Sequence, residues 1–110
     1  MGTEHLFHVA LARDWRAAQE AGDYRVSSLG RPLEEEGFLH ASYAHQWPGV
    51  LSAYYSEVEE PLLLLEIDPD RLDVPVVVEA PAGSGPEGEE FPHVYGPLPV
   101  DAVVAVRPLP

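Results

Sequence analysis

The stretch "EHLFHVA", Glu4 to Ala10, decides how the rest of the chain is read. Its side chains alternate, as in any strand, yet apolar residues fall on both faces. This is the pattern of a strand covered on both sides rather than of a sheet edge facing water. His5 and Phe7 share one face; Leu6, His8 and Ala10 share the other. His8 therefore stands among apolar neighbours in a core strand.

Downstream, "WRAAQEAG" predicts a short helix that Asp14 caps and Gly22 closes. "DYRVSSLGRPLEEE" reads as a polar connection broken by Gly30 and Pro32, and "GFLHAS" as a second strand with Phe38, His40 and Ser42 on one face. Helical spacing of Trp47, Val50, Leu51, Tyr54 and Tyr55 predicts a second helix whose first turn holds Pro48. "PLLLLEI", "VPVVVEA", "FPHVYG" and "DAVVAVRPL" read as further strands, and "PAGSGPEGEE" as a flexible acidic loop. The expectation is one α+β domain over residues 1–110, with a bent or split mixed sheet of about six strands and two main helices.

Bulk composition narrows the function classes. A chain of 110 residues suits one modest core, and 45% hydrophobic content argues against overall disorder. Cysteine is absent, which removes disulfides and thiolate metal sites. The N-terminal stretch lacks a signal-peptide pattern, and the longest apolar run is too short to span a bilayer, so a cytoplasmic location is expected. Net charge is −13 and all six basic residues are arginine, which disfavours binding to RNA or DNA. A few arginines still suffice for one small phosphorylated ligand. Edge strands in so small a domain leave monomer and homodimer both open.

Three histidines, His8, His40 and His93, sit where chemistry is plausible. His93 lies between Pro92 and Pro97 in "FPHVYGP", a stiff segment that holds His93 or Tyr95 in a fixed direction. Taken singly, each reads as a structural histidine bonded to a carbonyl or to a nearby Tyr or Ser. Three together suggest a shared cleft. His5 and His45 read as surface residues. His5, His8, His40 and His93 include enough imidazoles for a metal, but no HxH or HExxH spacing supports one, and no metal is expected. The acidic clusters Glu34–Glu36, Glu57/Glu59/Glu60 and Glu87/Glu89/Glu90 read as solvated surface.

"HLFHVA", "GFLHAS", "LLLLEIDPDRL" and "FPHVYGPLPVDAVV" together resemble the bacterial domain of unknown function 952 family, from about His5 to Val106. That family is grouped by fold with the ADP-ribosyltransferase-like superfamily. In NAD-using members, a first-strand histidine holds a ribose hydroxyl and the nicotinamide amide. A second-strand histidine or tyrosine stacks on the nicotinamide ring. The resemblance puts His8 in the first position and His40 in the second, the arrangement also found in RNA 2′-phosphotransferases. "HVA" stands where that pattern has His–Gly–Thr, and the late-strand glutamate is unmatched; His93 and Tyr95 lie near that point. The implied catalytic set is His8, His40 and His93. The implied NAD-binding set is His8, His40, Ser42, Arg31 and Tyr95, with Arg31 as a pyrophosphate clamp and Arg25 as a solvated loop arginine. Three readings stay open: an enzyme of ADP-ribosyl transfer or glycosidic cleavage, a nucleotide-binding module without turnover, and a histidine-ligated metal enzyme.

Overall fold

The computed structural model describes residues 4–29, 31–80 and 88–109. In chain order these form β1 (Leu6–Leu11), α1 (Ala12–Ala21), β2 (Asp23–Tyr24), β3 (Val26–Ser28), β4 (Arg31–Pro32), α2 (Leu33–Glu36), β5 (Leu39–His40), α3 (Trp47–Tyr54), β6 (Leu62–Ile67), β7 (Val76–Glu79), β8 (Phe91–Val94), β9 (Leu98–Pro99) and β10 (Val103–Pro108). Single 3₁₀ turns at Pro69–Arg71 and Val100–Ala102 complete the list.

Every residue of β1 is buried, as its two-faced apolar pattern predicts. Leu6 and Ala10 enter one core with Trp15, Tyr24, Leu65 and Ile67. Phe7, Val9 and Leu11 enter a second core with Tyr55, Leu62 and Leu64. α1 contributes Trp15 and Ala18 to the first core, and half-buried Trp47, Val50 and Leu51 of α3 pack on the second. β6 runs antiparallel between β1 and β10, with Leu6 opposite Ile67 and Leu11 opposite Leu62. Full burial of a Leu or Ile contributes roughly 1.5–3 kcal/mol, so Leu64, Leu65 and Ile67 make β6 the main apolar anchor of both layers.

The helix boundaries follow local chemistry with one correction. α1 begins directly where β1 ends, so Leu11 occupies the N-cap position without a side-chain cap. Asp14 is not the cap; it lies in the first turn, where its charge suits the helix dipole. Gly22 closes α1 in the left-handed region (φ 98°), and Pro48 sits in the first turn of α3 as expected.

The sheet is split into two three-stranded units, β1-β6-β10 and β5-β8-β7, beside the small ladders β2-β9 and β3-β4. All these pairings are antiparallel, so the expectation of a mixed sheet is corrected. Six strands match the six expected stretches. β2, β3, β4 and β9 are additional, along with the single turn α2. Residues 23–36 are thus more than a polar connection: Tyr24 and Ser27 are fully buried within it. Residues 81–87 of the expected acidic loop, and Gly30, lie outside the described residues. Among the described residues no helix is long and apolar enough to cross a membrane.

Candidate functional site

An isolated bridge joins the two larger sheets. Phe7 N–H donates to Ser42 O (2.7 Å) and Ser42 N–H donates to Phe7 O (2.8 Å). This stitch places His8 of β1 beside His40 of β5. Next to it opens a cleft of about 470 Å³, floored by Phe7, His8, Ala41 and Ser42. Arg31, Glu36 and His40 contribute polar groups to its lining; Leu29, Val50, Tyr54, Tyr55 and Phe91 contribute apolar and aromatic surface. A second recess of about 420 Å³, near Pro48, Glu59 and Leu109, has no histidine or arginine in its lining.

His8 is buried and fully engaged. Its Nδ1 lies 2.5 Å from the carbonyl oxygen of His40 and its Nε2 lies 3.0 Å from the Tyr24 hydroxyl. A carbonyl can only accept, so Nδ1 carries the hydrogen and Nε2 accepts from Tyr24. Burial pushes the His8 pKa down to about 4, which keeps the ring neutral. His8 therefore acts as a strut between β1 and β5, with no nitrogen left to hold a ribose hydroxyl.

His40 is placed differently. It is partly exposed, and its Nε2–H donates to Glu36 Oε1 at 2.9 Å. Arg31 approaches the other Glu36 oxygen at 3.4 Å. The His40 bond, with Arg31 adding, holds the Glu36 carboxyl below the usual carboxylate range. Because α2 is a single turn closed by Gly37, Glu36 is carried back over β5 four residues before His40. Solvated surface is the expectation for the whole cluster; Glu34 and Glu35 are exposed, but Glu36 is half-buried in the cleft lining.

Neither His93 nor Tyr95, expected to share the cleft, is among its lining residues. They form a separate cluster on the same face of the second sheet, where His40 pairs with His93 and His93 with Val77. His93 Nδ1–H donates to Glu79 Oε1 at 2.9 Å, and the Tyr95 hydroxyl donates to the same oxygen. These two donors, Tyr95 first, hold the Glu79 carboxyl below its usual range. The Phe38 ring stacks on His93 at 4.1 Å and stands edge-on to His40 at 4.9 Å.

The remaining candidates sit outside the cleft. His5 bonds Glu66 at 2.7 Å, His45 is exposed beside Tyr43, and Arg25 pairs with Asp23 at 3.0 Å on the surface. Among the described residues no group of three or more His, Asp or Glu side chains is placed to hold a metal ion. The residues that reasoning from sequence missed are Glu36, Glu79, Tyr24 and Phe38. For Glu36, the (i, i+4) spacing to His40 was the available signal.

A family model described as "Protein of unknown function (DUF952)" matches residues 9–106, and the chain belongs to that family. The crystal structure of protein CC0527 from Caulobacter crescentus is similar, with a TM-score of 0.79 at 25% identity over 96% of this chain and 86% of that one. The solution NMR structure of CC0527 is similar with a TM-score of 0.71 at 25% identity, over 93% of this chain and 81% of that one. No curated protein matches the chain.

Proposed function

We propose that this member of the family binds NAD or an NAD-derived nucleotide in the cleft beside the Phe7–Ser42 stitch, and acts on it by glycosidic cleavage or ADP-ribosyl transfer in the cytoplasm. The observation that carries the reading is the convergence of Arg31, Glu36 and His40, bonded to one another, in a cleft whose lining is otherwise largely apolar and aromatic. A cleft of about 470 Å³ lies in the range of small-ligand sites, roughly 300–1,000 Å³. Arg31 offers a fork of donors for a pyrophosphate. Tyr54, 72% exposed at the mouth, offers a face for a base or nicotinamide ring. His40, oriented by Glu36, contacts ribose through Nδ1. His8 serves by fixing the β1–β5 geometry rather than by touching ligand.

Glycosidic cleavage passes through a transition state with positive charge on the sugar. An ionised carboxylate in the wall stabilises that charge. Glu36 is the carboxylate available for this. It already accepts from His40 and approaches Arg31, which spreads its charge. This second observation supports the alternative, a nucleotide-binding module without turnover. Both readings share one test. Calorimetry with NAD and with ADP-ribose is expected to show binding, about tenfold weaker in Arg31→Ala. A tRNA or duplex titration alongside is expected to show none, given the charge of −13. No heat with either nucleotide, or equal affinity in the variant, refutes the reading. Turnover of NAD by wild type, lost in Glu36→Gln with binding retained, separates the enzyme from the module.

A further inference from the structure

Tyr55 is only 8% exposed, yet its side chain makes no hydrogen bond among the described residues. A buried tyrosine hydroxyl usually finds a partner, so a free one asks for an explanation. It is not sealed in. Among the described residues, the side-chain polar atom cut off from solvent without a partner is His93 Nε2, so the Tyr55 hydroxyl meets the open space of a recess. Tyr55 lines both recesses. Ser52 and Ser56, its neighbours on the chain, line the second recess alone, whereas Phe7 and Val9, which share a core with Tyr55, line the cleft alone. The ring therefore reaches from the end of α3 toward β1 and the cleft. Tyr24 gives a second sign. Burial first, then charge at Asp14 and at Tyr55, push the Tyr24 hydroxyl up in pKa, and that hydroxyl stands 3.0 Å from His8 Nε2 at the cleft floor. The Tyr55 hydroxyl is thus within electrostatic reach of the His8 end of the cleft.

We propose that the Tyr55 hydroxyl is a hydrogen-bond donor to the ligand of the cleft, and that it selects a flat ring carrying a carbonyl oxygen. This inference rests on the nucleotide reading of the cleft and deepens it. Burial pushes the pKa of Tyr55 up, so the phenol keeps its hydrogen at neutral pH. A carbonyl oxygen accepts that hydrogen without bringing a hydrogen of its own to be paired. The surroundings suit a ring. Val50, Phe91 and the exposed face of Tyr54 supply apolar and aromatic surface around the single hydroxyl, the pattern by which an apolar site orients a flat ligand through one polar contact. Arg31 supplies the charge for a phosphate elsewhere in the same lining. Two nucleotide groups have the required chemistry: the carboxamide of a pyridine nucleotide and the keto group of a nucleobase.

Two measurements on the full chain test it, both comparing wild type with Tyr55→Phe. The first is the Tm of the unliganded protein. A hydroxyl that has no partner in the free protein leaves no bond to lose, so Tm is expected not to fall. A clear fall shows that the hydroxyl is already bonded, and overturns the free donor. The second is calorimetry with NAD, UDP and ADP-ribose. The first two carry a carbonyl on a ring and the third does not. Loss of the hydroxyl is expected to weaken NAD, UDP or both about tenfold and to leave ADP-ribose unchanged. The nucleotide that weakens identifies the group, carboxamide or keto base. NAD and UDP bound equally well by both proteins, or ADP-ribose weakened as much as they are, overturns the carbonyl contact. Wild type that binds ADP-ribose but neither NAD nor UDP keeps the nucleotide reading and overturns this inference. Wild type that binds none of the three overturns both.

Discussion

Acidification should destabilise this protein through His8 before most of its carboxylates are protonated. In the folded chain the His8 ring is neutral, with a pKa lowered by burial from 6.5 to about 4. Between those values the unfolded chain holds a proton that the folded chain does not, so stability rises with pH across that window. Seen from neutral pH, the His8 contribution is complete above about 6.5, declines as pH falls, and is lost below about 4. A shift of about 2.5 units, at about 1.4 kcal/mol per unit, corresponds to roughly 3 kcal/mol. That is a large share of the stability of a small domain. The assay is urea unfolding at a series of pH values for wild type and His8→Asn. The asparagine amide can still donate toward the His40 carbonyl but does not titrate. Glu36 and Glu79, also depressed, lose their contributions below the usual carboxylate range in both proteins, so the difference between curves isolates His8. Wild type should lose roughly 3 kcal/mol more than the variant between about pH 7 and pH 4. Parallel curves, or an imidazole NMR titration placing His8 protonation near its ordinary value, refute the strut.

Two further outcomes follow from packing. An added Cβ at Gly96 would lie 2.4 Å from Val74 Cγ1 and 2.9 Å from Val74 Cβ, so Gly96→Ala should cost about 1–3 kcal/mol in chemical denaturation. The double variant with Val74→Ala should lose less than the sum of the two single changes; simple additivity would show that the clash is not the cause. Tyr24→Phe removes the donor to His8 Nε2 and should cost about 1–3 kcal/mol, read as a lower Tm at neutral pH. An unchanged Tm would mean that the buried bond contributes nothing.

Much of the fold is legible along the chain because its long strands carry their environment in their side-chain pattern. "LFHVAL" and "LLLLEI" lack a polar face because the core that includes α1 covers one side and the core that includes α3 covers the other. Two-residue strands give no such pattern. β2 and β9 are held by Tyr24 and Leu98 burying their side chains, and the exposed β4 by its pairing with β3, tertiary events that no local period announces. The start of α1 at Ala12 carries no local mark for a related reason: the chain turns straight from strand to helix at Leu11, so no capping residue stands at the boundary. Of the site, the neighbouring of His8 and His40 is what the family resemblance implies. Their division of labour is not, because it depends on Tyr24 and Glu36, each reached through turns. The pairing of His40 with His93 across β5 and β8 is a matter of register between segments 53 residues apart in number, and register is not written in either segment alone.

The central place of β6 bears on how the chain finds its fold. One of its partners lies more than fifty residues before it and the other more than thirty after it. No early hairpin can seed this sheet, since neither neighbour in space is a neighbour in sequence. Such distant pairings carry a high loop-closure cost before any contact rewards it, and chains dominated by them fold in milliseconds to seconds rather than microseconds. On the ribosome, β1 and β6 can pair before β10 emerges, but the far edge of β6 stays open until it does. During that interval an unpaired Leu-rich strand edge is exposed, and it is at this stage that the chain has most to gain from a chaperone.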